Sequence, residues 1–346
     1  MGVAFDINRV ARLRQAGACS MTWTGWVALL ALALTGCAAL PMPERPAVPD
    51  EYGHVEASDG VRLGYRKVGS GAEVIVVLHG GPGFTMDYLA DDLLPLAQRH
   101  TVIFHDPRGS GRSTLVSEAT ALDAQRFADD VEALRRHFGL QRLTLLGHSW
   151  GAGVVAMYAV RFPQHVGRMI IVGGIPLRRT ELARTFTSIR EGGDEAWRTQ
   201  LRERFTAWHA NPGDATTGRA FYETWYVPFF VDPGAMRRSK GDFCAGGADS
   251  LKNKIANVDR IVLASLGNYD WRPALKHVRA PTLVIHGAAD PIPAVNAVEW
   301  AATLPAARLL LMPGVGHFPY LEAPTPFFDA VDRFVRGDWP PEARAP

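Results

Sequence analysis

A mostly parallel α/β sheet with helices on both faces and a helical cap insertion is predicted by three observations: short apolar runs recur along the chain, helical patterns separate them, and over one long stretch the alternation stops. Strands are expected at 61–69, 73–80, 101–106, 142–149, 168–174, 281–287 and 307–314. Several of these, such as EVIVVLHG at 73–80 and RMIIVGG at 168–174, are apolar at nearly every position, as in a strand covered on both sides. In DAQRFADDVEALRRHFGL, Phe127, Val131, Leu134 and Phe138 recur at helical spacing, with Asp123 placed to cap the helix and Gly139 to stop it. Residues 176–270 are rich in Arg, Trp and Phe and carry helix-like stretches without a strand run, so they read as a cap between core halves 51–175 and 271–346.

Composition excludes several classes. With 346 residues, 47% hydrophobic and 21% charged, the chain resembles an ordinary globular protein and not a disordered one. The net charge of +2 comes from balanced acids and bases without a basic block, so nucleic acid is not an expected partner. Three cysteines, Cys19, Cys37 and Cys244, form neither a disulfide framework nor a zinc-ligand spacing, so no metal is implied. Cys244 reads as a buried or cap thiol.

The N-terminal segment reads as targeting. WVALLALAL, Trp26 to Leu34, is too short for the roughly 20 residues a membrane-spanning helix needs. It runs into Leu34-Thr35-Gly36-Cys37, which resembles the lipobox of bacterial lipoproteins, so residues 1–36 are expected to be a signal peptide and Cys37 a lipidated first residue. Arg9, Arg12 and Arg14 supply positive charge ahead of the run, whereas a start at Met21 leaves only the α-amino group. The proline-rich segment 37–50 follows as a tether that forms neither helix nor central strand. The expected address is the cell envelope, lipid-anchored and facing the periplasm, with Ala38 after Cys37 favouring the outer membrane.

Chemistry is concentrated in Gly147-His148-Ser149-Trp150-Gly151, which follows an apolar strand and precedes a helical pattern. G-x-S-x-G alone is a weak signal, but in this setting it describes a nucleophile elbow, where flanking glycines remove Cβ atoms from a tight turn. A serine hydroxyl needs a base, and the base needs an acid to fix its tautomer. Asp290 in LVIHGAADPIP and His317 in LLLMPGVGHFP follow the next two strand runs, in the chain order Ser, Asp, His. For the oxyanion, the Trp150 N–H is one expected donor; HGGPG at 79–83 supplies the other, with Gly81 favoured and Gly80 its rival.

HGGPG, DPRGSGRS at 106–113, GHSWGA at 147–152 and the Asp290 and His317 segments together resemble the α/β-hydrolase superfamily, and within it most resemble the proline iminopeptidase family. The resemblance covers roughly 60–335. It implies an eight-stranded sheet, a Ser149-Asp290-His317 triad, no cofactor, and a cap that selects substrate. It makes Asp106 and Arg108 structural, bracing loops by ion pairing. It also excludes dehalogenase and epoxide-hydrolase chemistry, which on this fold uses an aspartate nucleophile. The chain departs from the family in having Pro107 for glutamine and His148 for glycine. Iminopeptidases also hold the substrate amine with a cap carboxylate, for which Glu223 in FYETWYVPFF is the nearest candidate. The expectation is therefore an aminopeptidase releasing an N-terminal residue from small peptides. The alternatives are a carboxylesterase acting on small acyl esters and a non-catalytic, lipid-anchored binding protein.

Overall fold

The structure is a computed structural model and describes residues 48–345. The signal segment, Cys19, Cys37 and nearly all of the 37–50 segment lie outside the described residues. The eight strands are β1 (Asp50–Glu56), β2 (Arg62–Val68), β3 (Val74–Leu78), β4 (Thr101–His105), β5 (Leu143–His148), β6 (Val166–Val172), β7 (Thr282–Gly287) and β8 (Ala307–Met312). They form one sheet in the order β1-β2-β4-β3-β5-β6-β7-β8. Only the β1/β2 and β2/β4 pairs are antiparallel, so the predicted mostly parallel α/β fold is the observed one.

The uniformly apolar runs are explained by two cores, one on each side of the sheet. In β3, Val76 and Leu78 pack into one core while Ile75 and Val77 pack into the other. In β6, Met169 and Ile171 face one core and Ile170 and Val172 the other. Because side chains alternate sides along a strand, a sheet covered on both faces requires apolar residues at every position.

The strand missing from the sequence reading is β1. Its residues, DEYGHVE, are exposed except for Val55 and the half-buried Gly53, so it is an edge strand with no apolar alternation to find. It begins at Asp50, where the sequence reading placed the end of the tether. Helix α1 (Ala124–His137) is capped as expected: the Asp123 carboxylate accepts from Gln125 N, and Gly139 follows at φ +64°. After α2 (Trp150–Arg161) and β6 the chain forms α3 (Arg179–Gly192), α4 (Glu195–Ala210), α5 (Ala215–Trp225), α6 (Pro233–Arg238), α7 (Gly247–Asn253), a π-helical turn at Lys254–Val258 and α8 (Asp259–Ser265). The remaining helices are α9 (Arg272–Leu275), α10 (Ala294–Thr303), α11 (Pro319–Glu322) and α12 (Pro324–Val335).

The segment after β4 is braced from below. Arg108 is almost wholly buried and bonds Asp130 of α1 through two nitrogens at 2.5 and 2.8 Å, and Asp59 at 2.8 Å. Asp106 does not pair with it. Its carboxylate accepts from Met86 N and Arg112 N, both at 2.8 Å, and the Arg112 guanidinium is more distant at 3.3 Å. Bracing by ion pairing thus describes Arg108, whereas Asp106 acts chiefly through backbone N–H groups. Burial pushes the Asp130 carboxyl up to about 6, against the pull of Arg108, so desolvation consumes much of what the pair's attraction provides.

Such a pair contributes geometry more than net stability, but removing one partner strands the other charge. Asp130→Ala should therefore destabilise the protein by about 3 to 5 kcal/mol in urea unfolding. The exposed Arg238–Asp232 pair, broken by Arg238→Ala so that the Asp232 cap of α6 is kept, should move the midpoint little.

Candidate active site

The turn from β5 into α2 holds Ser149 at φ +54°, ψ −116°, and among the described residues no other non-glycine has positive φ. Crowding accounts for the flanking glycines. A Cβ at Gly147 would sit 2.7 Å from the Gly151 carbonyl oxygen, and one at Gly151 would sit 1.9 Å from the Leu78 carbonyl oxygen of β3. Backbone strain of this kind costs on the order of 1–3 kcal/mol and persists only where packing over-determines it. Here it leaves the Ser149 hydroxyl uncommitted, since the residue opens α2 without a side-chain capping bond.

Asp290 follows β7 and His317 follows β8, as the chain order requires. His317 Nδ1–H donates to Asp290 Oδ2 at 2.7 Å, and Asp290 Oδ1 accepts from Ile292 N at 2.8 Å. That bond fixes the tautomer, leaving Nε2 as the free lone pair. The His317 loop is also tied to the cap. His317 N donates to Phe229 O at 2.8 Å, and Glu322 of α11 accepts from Gly316 N at 2.6 Å and from Val231 N and Asp232 N at 2.7 and 2.9 Å. Ser149 and His317 line one cavity, and among the described residues no hydrogen bond joins them. Transfer of a proton needs a separation of about 2.6–3.2 Å, a contact that commonly tightens when substrate is seated.

The two rival oxyanion donors are separated by a hydrogen-bonded chain that sequence reasoning missed. Gly80 N–H donates to the Tyr88 oxygen at 2.5 Å, Tyr88 O–H donates to His148 Nδ1 at 2.7 Å, and His148 Nε2–H donates to His317 O at 3.1 Å. The last bond requires the Nε2–H tautomer, so every direction in the chain is determined. Gly80 N–H is therefore engaged, while Gly81 N–H has no partner among the described residues. Trp150 is the first residue of α2, and its N–H has no acceptor within the helix. His148 was visible in the sequence as a departure from glycine; nothing there pointed to Tyr88.

Ser149 and His317 open into a cavity of about 970 Å³ between the ends of the strands and the cap helices. Glu223 is not part of it. The residue is exposed, and on α5 it is Phe221, Tyr222 and Trp225 that line the cavity, which corrects its assignment to the substrate amine. Turning the helix to bring Glu223 inward would expose those aromatic rings. Among the described lining residues the one carboxylate is Asp259. Both its oxygens accept from Lys254 Nζ at 2.7 Å, and that ammonium also donates to Pro82 O at 3.1 Å and lies 4.4 Å from the centre of the Phe84 ring. Enclosure within the cavity pushes the Asp259 carboxyl up, opposed by Lys254. Cys244 is buried beside α5, where burial pushes its thiol up to about 12. Among the described residues no three His, Cys, Asp or Glu side chains gather into a group able to hold a metal ion.

The sequence profile described as alpha/beta hydrolase fold matches residues 73–324. A bifunctional esterase/perhydrolase of Acinetobacter calcoaceticus is 29% identical over 279 residues, covering 79% of this chain and 96% of the relative. A proline iminopeptidase of Heyndrickxia coagulans is 24% identical over 292 residues, covering 82% and 98%. Among solved structures, an alpha/beta fold family hydrolase from Bacillus anthracis superposes with a TM-score of 0.67 at 17% identity, over 84% of this chain and 99% of that one.

The buried histidines around the site make stability depend on pH. Burial holds His79 down at about 4, and burial together with neighbouring His79 holds His105 down at about 3, whereas both titrate near 6.5 when unfolded. The unfolded chain therefore binds more protons below pH 6.5, so stability is full above that value and is lost as pH falls toward 4. Each histidine should contribute a slope of roughly 1.4 kcal/mol per pH unit in that window. Urea unfolding from pH 7.5 to 5 measures it; His105→Gln should flatten the slope, and a slope the variant leaves unchanged would exclude this assignment.

Proposed function

This chain belongs to the alpha/beta hydrolase fold family, and from that premise we propose that it is a serine hydrolase cleaving carboxylic esters through an acyl-enzyme on Ser149. The observation that carries the reading is the strained serine sharing a cavity with a histidine whose Nδ1 proton is held by a buried carboxylate. Ser149 Oγ attacks the ester carbonyl as His317 Nε2 takes its proton. The carbonyl oxygen, now anionic, accepts from the N–H groups of Trp150 and Gly81. Collapse breaks the bond to the leaving alkoxide, which takes the proton from the imidazolium. Water, deprotonated by the same His317, then releases the acid and restores Ser149. Asp290 keeps its hydrogen bond from Nδ1–H and stabilises the imidazolium in both halves.

The motifs HGGPG and DPRGSGRS, with relatives named proline iminopeptidases, support a second reading as an aminopeptidase for small peptides. Cavity charge supports the ester reading over it. A free substrate amine needs an anionic partner, and the carboxylate of Asp259 is already held by Lys254. For localisation we retain the sequence-based proposal of a lipid anchor at Cys37 holding the protein at the periplasmic side of the bacterial envelope. Incorporation of a labelled fatty acid that Cys37→Ser abolishes would support it.

A fluorophosphonate should label Ser149, which the non-catalytic reading does not allow. Ser149→Ala should lower kcat by about a millionfold with thermal unfolding barely changed. Comparable turnover by the purified variant would refute the mechanism. Side by side, a short-chain nitrophenyl ester should be turned over well and proline naphthylamide poorly. Efficient cleavage of the amide, abolished by N-acetylation, would install the aminopeptidase reading instead.

A further inference from the structure

The cavity's charge is lopsided. Arg179 and Arg190 of α3, Arg202 of α4 and Arg260 of α8 all line it, and among the described residues none of them has a carboxylate within salt-bridge distance. With Asp259 occupied by Lys254, four guanidinium groups stand uncompensated. The contrast within α3 is direct. Arg184, on a different face, pairs with Glu181 at 2.9 Å, whereas Arg190 reaches only Thr187 at 3.4 Å and Arg179 only the Leu263 carbonyl at 3.3 Å. Arg202 likewise reaches only Thr199, at 2.9 Å.

The arrangement along α3 has a defined shape. Arg179, Leu182, Ala183, Phe186, Thr187 and Arg190 follow the i, i+3, i+4, i+7 spacing of one helix face. This is a mostly apolar strip with a guanidinium at each end, roughly 16 Å long at the helical rise. The buried part of the lining is aromatic, with Phe84, Tyr222 and Phe229. Arg190, Arg202 and Arg260 are exposed, so their charge lies on the solvent side of the cavity lining.

Resting on the ester-hydrolase reading above, we propose that the cap selects acyl esters whose acyl part is an apolar chain ending in a carboxylate. The aromatic wall takes the chain and the cap arginines take the terminal anion, bidentately where the guanidinium fork allows. Selection falls on the acyl side because that part remains on Ser149 through both acylation and deacylation. An ammonium-terminated chain meets the exposed charges of Arg190, Arg202 and Arg260 as repulsion.

Three nitrophenyl ester types test this, at acyl lengths of six and ten carbons: the plain alkanoate, the half ester of the matching dicarboxylic acid, and the ester of the matching ω-amino acid. At low ionic strength kcat/KM for the better half ester should exceed that for its ammonium counterpart by at least about tenfold, and the ratio should shrink in 1 M NaCl, where the Debye length is about 3 Å. In the Arg190→Gln, Arg202→Gln, Arg260→Gln triple variant the ratio should fall to within about threefold of unity. Equal rates for all three ester types at both lengths, or a preference that survives the triple variant, would overturn the specificity while leaving the hydrolase reading intact. Absence of Ser149-dependent turnover for every ester, plain alkanoate included, would overturn the hydrolase reading and this proposal with it.

Discussion

The site depends on one steric constraint, the passage of the chain from β5 into α2 in the space left by β3. With Gly151 against the Leu78 carbonyl and Gly147 against the Gly151 carbonyl, the backbone has no room for side chains at either position. It closes the turn by placing Ser149 in a conformation that residues with a Cβ rarely adopt. The strain is offset by the two cores that clamp strand and helix. Its product is a hydroxyl that neither caps its own helix nor packs into the core, at the end of the helix where N–H groups point outward.

Around that turn, neutral polar links hold the loops in register. The chain from Gly80 through Tyr88 and His148 to the His317 carbonyl connects the segment after β3, the end of β5 and the loop after β8, which are distant in sequence. It does so without charge, because burial holds the His148 imidazole well below its ordinary titration range, with His317 nearby adding to the effect. Its consequence reaches the oxyanion loop: by engaging the Gly80 N–H it leaves the Gly81 N–H as the free donor. Glu322 does comparable work on the other side, joining the His317 loop to the cap segment after Phe229. One carboxylate thus ties the cap segment to the loop that carries the base.

Motif and cavity carry different information about substrate. In the proposed mechanism HGGPG and the Ser149 elbow serve the attack on an acyl group, and relatives of this chain carry both esterase and peptidase names. In the proposed reading the cap selects what is attacked, and there Lys254 fills the position beside Asp259 that a substrate ammonium would need. Four lining arginines without carboxylate partners among the described residues are what the proposed anion preference rests on.

Much of this was legible in the sequence because it is local or periodic. Apolar runs reported the sheet, Asp123 and Gly139 bounded α1, and the spacing of glycines around Ser149 reported a turn that cannot accommodate Cβ atoms. The order Ser149, Asp290, His317 was readable because each follows a strand, and neighbouring parallel strands deliver their ends to the same edge. Tertiary structure decided the rest. β1 carries no apolar alternation because, apart from Val55, neither of its faces is covered by a core, and Glu223 and Asp259 are indistinguishable as lone acidic residues until helix rotation turns one outward and the other inward. The partners of Gly80, His148 and Lys254 lie far along the chain, and no local pattern records which of two adjacent N–H groups a distant tyrosine will occupy.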